Sequence, residues 1–501
     1  MRNEAEEALE EGAKAKKEKE PPIKFRIIND ICGDEKIRFY RTPHNYCYIV
    51  YPSSKGHVTA DVRGSAFVQK VYEVAKRLSG MYWPLSGDEI KAISGAVEAK
   101  CMAEGAMMEK EFVRVQNSGE DLYVDLGRPA WDCAKFSKGK WEIKSRAPRP
   151  FVRSEAVGEL YYPKEGGDIN LLRRYVNYGS EDQFKLIVAF IMSCFRETLE
   201  YPILIINGEQ GSGKTTSTLF ISKIINGKNA HMGGSIGKNE KDLGAAAKSS
   251  WVFTADNVSS LKFDVSDSLC RLSTGFTMAA RKLYTDHDVS TYTIYRPVII
   301  NGIPDLVYRS DLARRCLFIE FPTLPKDLKT DINVLIKQFE EDAPLIMGAI
   351  FDAIAAGQEK YWSMEESQTD GLLSLAKFME ASAESLGWPA GEFTKVYDRM
   401  LMALSEGNSE NDSLSTEIVR IAKECNYWHG TVEDFKNMVE SDFRWSGFPK
   451  SSKAFFSHLK RVAPDLRKIY GIDAGKCEKR NRENKTEFFI QKRISDVDRR
   501  E

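Results

Sequence analysis

Residues 208–216 read Gly208-Glu209-Gln210-Gly211-Ser212-Gly213-Lys214-Thr215-Thr216, the spacing G-x-x-x-x-G-K-[ST]. The apolar segment Pro202–Ile206 before it suits a buried strand, and Ser217–Ile225 after it has the apolar spacing of a helix. Strand, glycine loop and helix in that order distinguish a phosphate cradle from a glycine turn that binds nothing. They also confine this part of the chain to an α/β P-loop core. Glycines are needed because backbone N–H groups must turn inward around phosphate oxygens, where side chains would block the approach. Lys214 would reach the β and γ phosphates of ATP, Thr215 would hold Mg²⁺, and the helix adds its positive end. The expectation is a nucleoside triphosphatase.

Three further buried runs extend the core. Trp251–Thr254 reads as a strand ending in Ala255-Asp256-Asn257, which places Asp256 where a carboxylate can hold Mg²⁺ through its water shell. The position after it, where a second carboxylate would orient an attacking water, is Asn257, so the general base is open between Glu209 and Glu320. Pro297–Ile300 is the next strand and ends at Asn301, whose amide is suited to sense a γ-phosphate or the attacking water. Leu317–Phe321 is the last, preceded by Arg314 and Arg315; either is a candidate arginine finger for a neighbouring subunit, the alternative being a helix cap. Arg281–Thr285 and Val289–Tyr295 flank the polar turn Asp286-His287-Asp288, a hairpin pattern. Its Arg281, Lys282 and His287 make a basic surface suited to a polyanion; a plain sheet extension is the other reading.

The order P-loop, Asp256, basic hairpin, Asn301 and paired arginines, with Leu272–Tyr284 between the second and third strands, resembles superfamily 3 helicases. The likeness is to the primase-helicases of phages, plasmids and large DNA viruses and, more loosely in the flanks, to ATP-binding proteins of prophages. It covers Leu204–Phe321. The resemblance implies an AAA+ fold, assembly into a ring, usually a hexamer, and ATP-driven movement along single-stranded or forked DNA. It implies a sensor at Asn301, a finger at Arg314 or Arg315, and DNA contact through Lys282 and His287. Asn257 departs from the acidic pair usual there. No carboxylate cluster for nucleotide polymerisation precedes Gly208, so a separate primase or polymerase is the expected partner.

Charge is balanced over the 501 residues, at a formal net −1, and argues neither for nor against nucleic acid. The nine cysteines have no C-x-x-C pair and read as reduced thiols. Leu186–Phe195, the longest apolar run, is too short to span a bilayer and reads as a buried helix. A cytoplasmic protein of a bacterial or virus-infected cell, without membrane contact, is expected.

Around the core the expected organisation is a charged arm over 1–22, an α+β module over 23–160, the ATPase core over 161–325, a helical lid over 326–407 and a winged helix over 408–501. In the module, alternation at Phe25-Arg26-Ile27-Ile28 and at Tyr46–Tyr51 predicts strands, and Ala66–Leu78 and Gly87–Met107 predict helices. Arg146, Arg149, Phe151 and Arg153 interleave charge with an aromatic ring, as a strand-binding surface would, or as a solvated sheet edge would. Asn408–Ser413 reads as a linker. Beyond it Ser415–Cys425, Thr431–Val439 and Ser452–Val462 predict three helices before a closing hairpin at Lys485–Lys492, with Lys453, Lys460 and Arg461 in the basic footprint for DNA. An ATP-driven helicase or translocase of a phage or mobile element is the leading function. The alternative is a slow-hydrolysing, ATP-gated DNA-binding initiator or regulator.

Overall fold

A computed structural model describes residues 20–54, 56–153, 157–230, 234, 236, 242–244, 247, 250–258, 263–281, 289–302, 310–325, 327, 329–439, 444, 448–480 and 485–493. They fall into two compact units. The first takes in the described residues of Met1–Phe136, Trp141–Leu160 and Thr277–Tyr292, the second those of Ser137–Lys140, Tyr161–Phe276 and Thr293–Glu501.

The first unit opens with helix α1, Ile23–Gly33. This corrects the strand expected at Phe25–Ile28: Ile27 and Ile31 lie four apart and both are fully buried, so the helical period prevails over alternation in a window short enough to fit either. Strands β1 (Arg38–Arg41), β2 (Cys47–Ser53) and β3 (Gly56–Asp61) follow. Helices α2 (Ser65–Ser79) and α3 (Gly87–Glu104) and the short β4 (Ala106–Met107) complete a sheet of order β3-β2-β1-β4. Ser86 caps α3, accepting the Glu89 N–H while the Glu89 carboxylate accepts the Ser86 N–H. A core of Ile27, Ile31, Ile49, Phe67, Val71, Ile93 and Val97 joins the three helices to one face of that sheet. Next come β5 (Val115–Ser118), β6 (Asp121–Asp125), β7 (Cys133–Ser137) and β8 (Lys140–Lys144), which make a second sheet in chain order.

In the second unit a 3-10 turn at Ile169–Arg174 leads to α4 (Glu181–Ser193), whose residues from Leu186 onward are all buried, as the apolar run requires. The central sheet follows. Its strands are β9 (Ile203–Gly208), β10 (Phe253–Val258), β13 (Val298–Gly302) and β14 (Cys316–Phe321), all parallel in the order β10-β13-β9-β14. Helix α5 (Lys214–Asn226) packs on β9, β10 and β13. In chain order α6 (Phe263–Thr274) follows β10 and precedes β11 (Phe276–Arg281) and β12 (Val289–Ile294), which pair with each other and belong mostly to the first unit. The near-continuous apolar runs of β9 and β13 reflect burial on both faces.

After the short α7 (Ser310–Ala313), a helical segment holds α8 (Ile332–Lys360), α9 (Leu373–Ser382) and α10 (Glu392–Asn411). Residues 408–411, expected in a linker, are the last turn of α10, and the chain breaks only at Asp412, which caps α11 (Ser413–Glu424). Polar composition marked the end of a helix here, not a flexible connection. The C-terminal part continues with β15 (Tyr427–Thr431), α12 (Val432–Met438), α13 (Ser452–Tyr470), β16 (Ile472–Arg480) and β17 (Thr486–Lys492), the strands in order β15-β17-β16. Leu414, Ile418, Phe435, Phe455, Leu459 and Phe488 form its core. Among the described residues no helix is long and apolar enough to cross a membrane.

Candidate active site

All four strands of the central sheet end on the same side, and the glycine loop leaves the carboxyl end of β9 between β13 and β14. That is where ligands bind in open parallel sheets. Gly208, Gly211 and Gly213 have φ of 147°, 86° and 77°. At Gly208 a Cβ would come within 2.7 Å of the Phe321 carbonyl oxygen and 2.9 Å of Ser212 Oγ. The loop is therefore closed to side chains at its base, as a cradle lined by backbone N–H groups must be.

Lys214 begins α5 and folds back over the loop, its Nζ donating to the Gly208 and Glu209 carbonyls at 2.6 and 2.8 Å. Burial lowers its pKa, while the Asp256 carboxylate acts in the opposite direction. Thr215 Oγ1 donates to Asp256 Oδ1 at 3.3 Å. Thus the tip of β10 and the first turn of α5 bring a hydroxyl and a carboxylate together beside the cradle, a donor set that suits a hard divalent cation. Glu209, Gln210 and Gly211 are exposed, Ser212 is buried with Oγ donating to the Glu209 carbonyl at 2.9 Å, and Thr216 is half-buried.

Asn301, at 1% exposure, has its amide engaged at both ends: Oδ1 accepts the Asn257 N–H at 2.8 Å and Nδ2 donates to Thr218 Oγ1 at 3.1 Å. It ties together the tips of β13 and β10 and the helix α5. Asn257 is exposed, with φ of 56°, a left-handed backbone that asparagine tolerates better than most residues. Glu209 accepts from Thr323 Oγ1 at 3.2 Å, and Glu320 is exposed on β14; among the described residues neither bonds to Thr215 or Asp256. Arg314 is exposed and Arg315 half-buried, the latter's carbonyl accepting the Ile203 N–H at the start of β9.

Asn177 escaped the sequence reading. Its Nδ2 donates to the carbonyls of Ser212 at 2.9 Å and Pro322 at 2.7 Å, and its N–H donates to Ser217 Oγ at 3.0 Å. It therefore pins the loop to the end of β14. No local pattern announces such a residue.

Of the basic hairpin, Lys282 and His287 lie outside the described residues, and Arg281 is the last residue of β11. On α13 Arg461 has Asp412 at 3.8 Å, whereas Lys453 and Lys460 are exposed, seven residues apart on one face, and without a carboxylate partner among the described residues. Arg467 is bonded to Asp473 and Lys468 to Asp370, which narrows the basic footprint.

Residues 169–387, which take in the cradle, Asp256, Asn301 and both arginines, match a family described as the actinomycete integrative conjugative element replication protein. Over that stretch the chain is similar to a replication protein of a mobile element. Among solved structures, the apo C-terminal region of NrS-1 is similar at 12% identity, over 93% of this chain and 98% of that one, with a TM-score of 0.38. JCV helicase, in a structure with a bound small molecule, is similar at 12% identity over 49% of this chain and 65% of that one, with a TM-score of 0.23. No curated protein matches the chain.

Proposed function

We propose that this chain is an ATP-driven DNA helicase or translocase that serves replication of a mobile element. The observation that carries the reading is the 3.3 Å contact between Thr215 Oγ1 and Asp256 Oδ1 beside a glycine loop spanned by Lys214. The triphosphate would take the place of the two loop carbonyls that now hold the Lys214 ammonium. Thr215 and Asp256 would hold Mg²⁺, which spreads the charge of the departing phosphates. Asn301 would fix the tip of β10, and an arginine at the start of β14 would complete a neighbour's site. An AAA+ ring, usually hexameric, around single-stranded or forked DNA belongs to this reading, as do the winged-helix assignment of the C-terminal part and a separate primase. The match of residues 169–387 to replication proteins supports it.

The test is ATP hydrolysis by the purified protein with and without single-stranded DNA, with its mass in solution recorded under both conditions. Hydrolysis that rises with DNA, that Lys214→Ala abolishes, and that comes from a ring-sized assembly is the expected result. ATP binding with negligible turnover, whatever DNA is added, would replace the motor by an ATP-gated DNA-binding switch. Asn257 favours that second reading, because no carboxylate follows Asp256 at the strand tip.

A further inference from the structure

The first unit carries a basic cleft that the ATP site does not use. Helices α1, α2 and α3 cover one face of the sheet β3-β2-β1-β4, where Phe39, Ile49 and Ala60 join the core. The period of two sends Arg38, Tyr40 and Val50 to the opposite face, with Arg38 beside Val50 in register, and His57 of β3 lies beside Pro52 on that side. Facing them is the extended strap Arg146–Phe151. Buried Gln116 holds it, its Nε2 donating to the Arg149 carbonyl at 2.9 Å and its Oε1 accepting the Arg149 N–H at 3.1 Å. Between sheet and strap lies a cleft of about 200 Å³ to which Trp131 adds a further wall.

We propose that this cleft binds single-stranded DNA, seating a base against Trp131 and Tyr40 and the flanking phosphates on Arg38, Arg146 and Arg149. Among the described residues no carboxylate lines it. Among them, too, Lys36, Arg38 and Arg146 have no ion-pair partner, and Arg149 meets only the exposed Glu109, at 3.3 Å. Cations gathered without acids to neutralise them face an anion. The surrounding charge acts on His57 as well: burial lowers its pKa, Arg153, Arg146 and Arg38 lower it further, and Asp125 opposes them.

The aromatic side of the cleft is built. Trp131 has φ of 59°, a left-handed backbone unusual for a bulky side chain. The Arg153 guanidinium lies 3.9 Å from its ring centre and is itself fixed by both oxygens of Asp125, at 2.7 and 2.5 Å. Arg153 therefore braces the indole and is engaged by Asp125, so the proposal assigns phosphate contact to Arg146 and Arg149 and not to Arg153. A braced ring beside unpaired guanidinium groups suits base stacking with phosphate neutralisation. An acidic peptide would use the charges and leave the ring idle. The proposal rests on the first unit alone and is independent of ATP hydrolysis.

The experiment is fluorescence anisotropy of a labelled 20-nucleotide oligo-dT with the full chain, without ATP, as a salt series. Arg38→Glu with Arg146→Glu should weaken binding at least tenfold and flatten the slope of log K against log salt by about 1.4, at ~0.7 for each phosphate no longer neutralised. Trp131→Ala should weaken binding while Trp131→Phe restores most of it, with melting curves showing that each variant is folded. Crosslinking with bromodeoxyuridine oligonucleotide should mark a peptide containing Tyr40 or Trp131. Unchanged affinity and slope in the double variant, or crosslinks confined to other segments, would overturn the proposal. Displacement of oligo-dT by poly-glutamate at equal charge would overturn it in favour of an acidic peptide. Equal displacement by dTMP at matched nucleotide concentration would overturn it in favour of a free nucleotide.

Discussion

Asn257 and Gly213 show how far one backbone angle constrains this site. At φ of 56°, Asn257 occupies a conformation open to asparagine and aspartate at little cost, whereas a longer side chain pays the strain of the left-handed region. A carboxylate is thus best restored there as Asn257→Asp. If a missing base limits the rate, Asn257→Asp should raise ATP turnover at least tenfold with little change in melting temperature, and Asn257→Glu should raise it less; steady-state hydrolysis with a melting curve decides. Gly213 has φ of 77°, and a Cβ on it would lie 2.9 Å from Leu324 Cδ1. Gly213→Ala should destabilise by about 1 to 2 kcal/mol from backbone strain, measured as a lower denaturant midpoint. It should also weaken ATP binding, because the N–H groups that begin α5 would turn away from the phosphates.

At the scale of elements, the junction of α10 and α11 rests on one carboxylate. Asp412 accepts the Ser415 N–H at 2.8 Å as the cap of α11 and meets His458 Nε2 of α13 at 2.6 Å. Burial acts to raise its pKa, but the bonds from His458 and Ser415 prevail and hold it below the usual carboxylate range. Stability from a depressed carboxylate is complete above its unfolded value, near pH 4, and is lost as pH falls through the lower folded value. Asp412→Ala should therefore cost about 1 kcal/mol at neutral pH, the usual worth of such a cap, and should shrink the loss of stability that the parent chain shows below pH 4. Chemical denaturation at several pH values measures both.

These same elements show what could be read from the sequence. The P-loop and the strand tips at Asp256 and Asn301 were legible because each is a local pattern of apolar run and polar end. Asn177 was missed because its partners at Ser212 and Pro322 are remote in the chain. Basic residues of α13 were legible as a cluster; which of them are committed to Asp412, Asp473 and Asp370 depends on contacts between elements. Lys453→Glu with Lys460→Glu, on the free face of the helix, should weaken DNA binding in a salt-dependent way, by anisotropy, while Arg467→Gln should act mainly on stability.

For the whole molecule the question is whether one chain suffices for its own chemistry. Among the described residues no arginine bonds to Thr215, Asp256 or the loop from Gly208 to Gly213, and the proposed ATPase calls for a further positive charge opposite Lys214. Arg314 is exposed at the start of β14, and Arg315 is half-buried with its carbonyl bonded to β9. Exposure makes Arg314 the better donor to a second chain, and half-burial makes the Arg315 side chain the less available of the two. An arginine finger acting between chains contributes about 10³ to 10⁵ in rate. Arg314→Ala should then hydrolyse ATP at least a hundredfold more slowly while binding it normally, and Arg315→Ala, which keeps the backbone bond to β9, should slow it less. Lys214→Ala subunits retain Arg314 but have a dead cradle, and Arg314→Ala subunits have the opposite defect. Mixing the two inactive variants should regenerate hydrolysis, because some interfaces then join an intact cradle to an intact arginine. Activity that stays absent at every mixing ratio, with mixed assemblies demonstrated by mass, would place the missing charge within the chain and remove the reason for a ring.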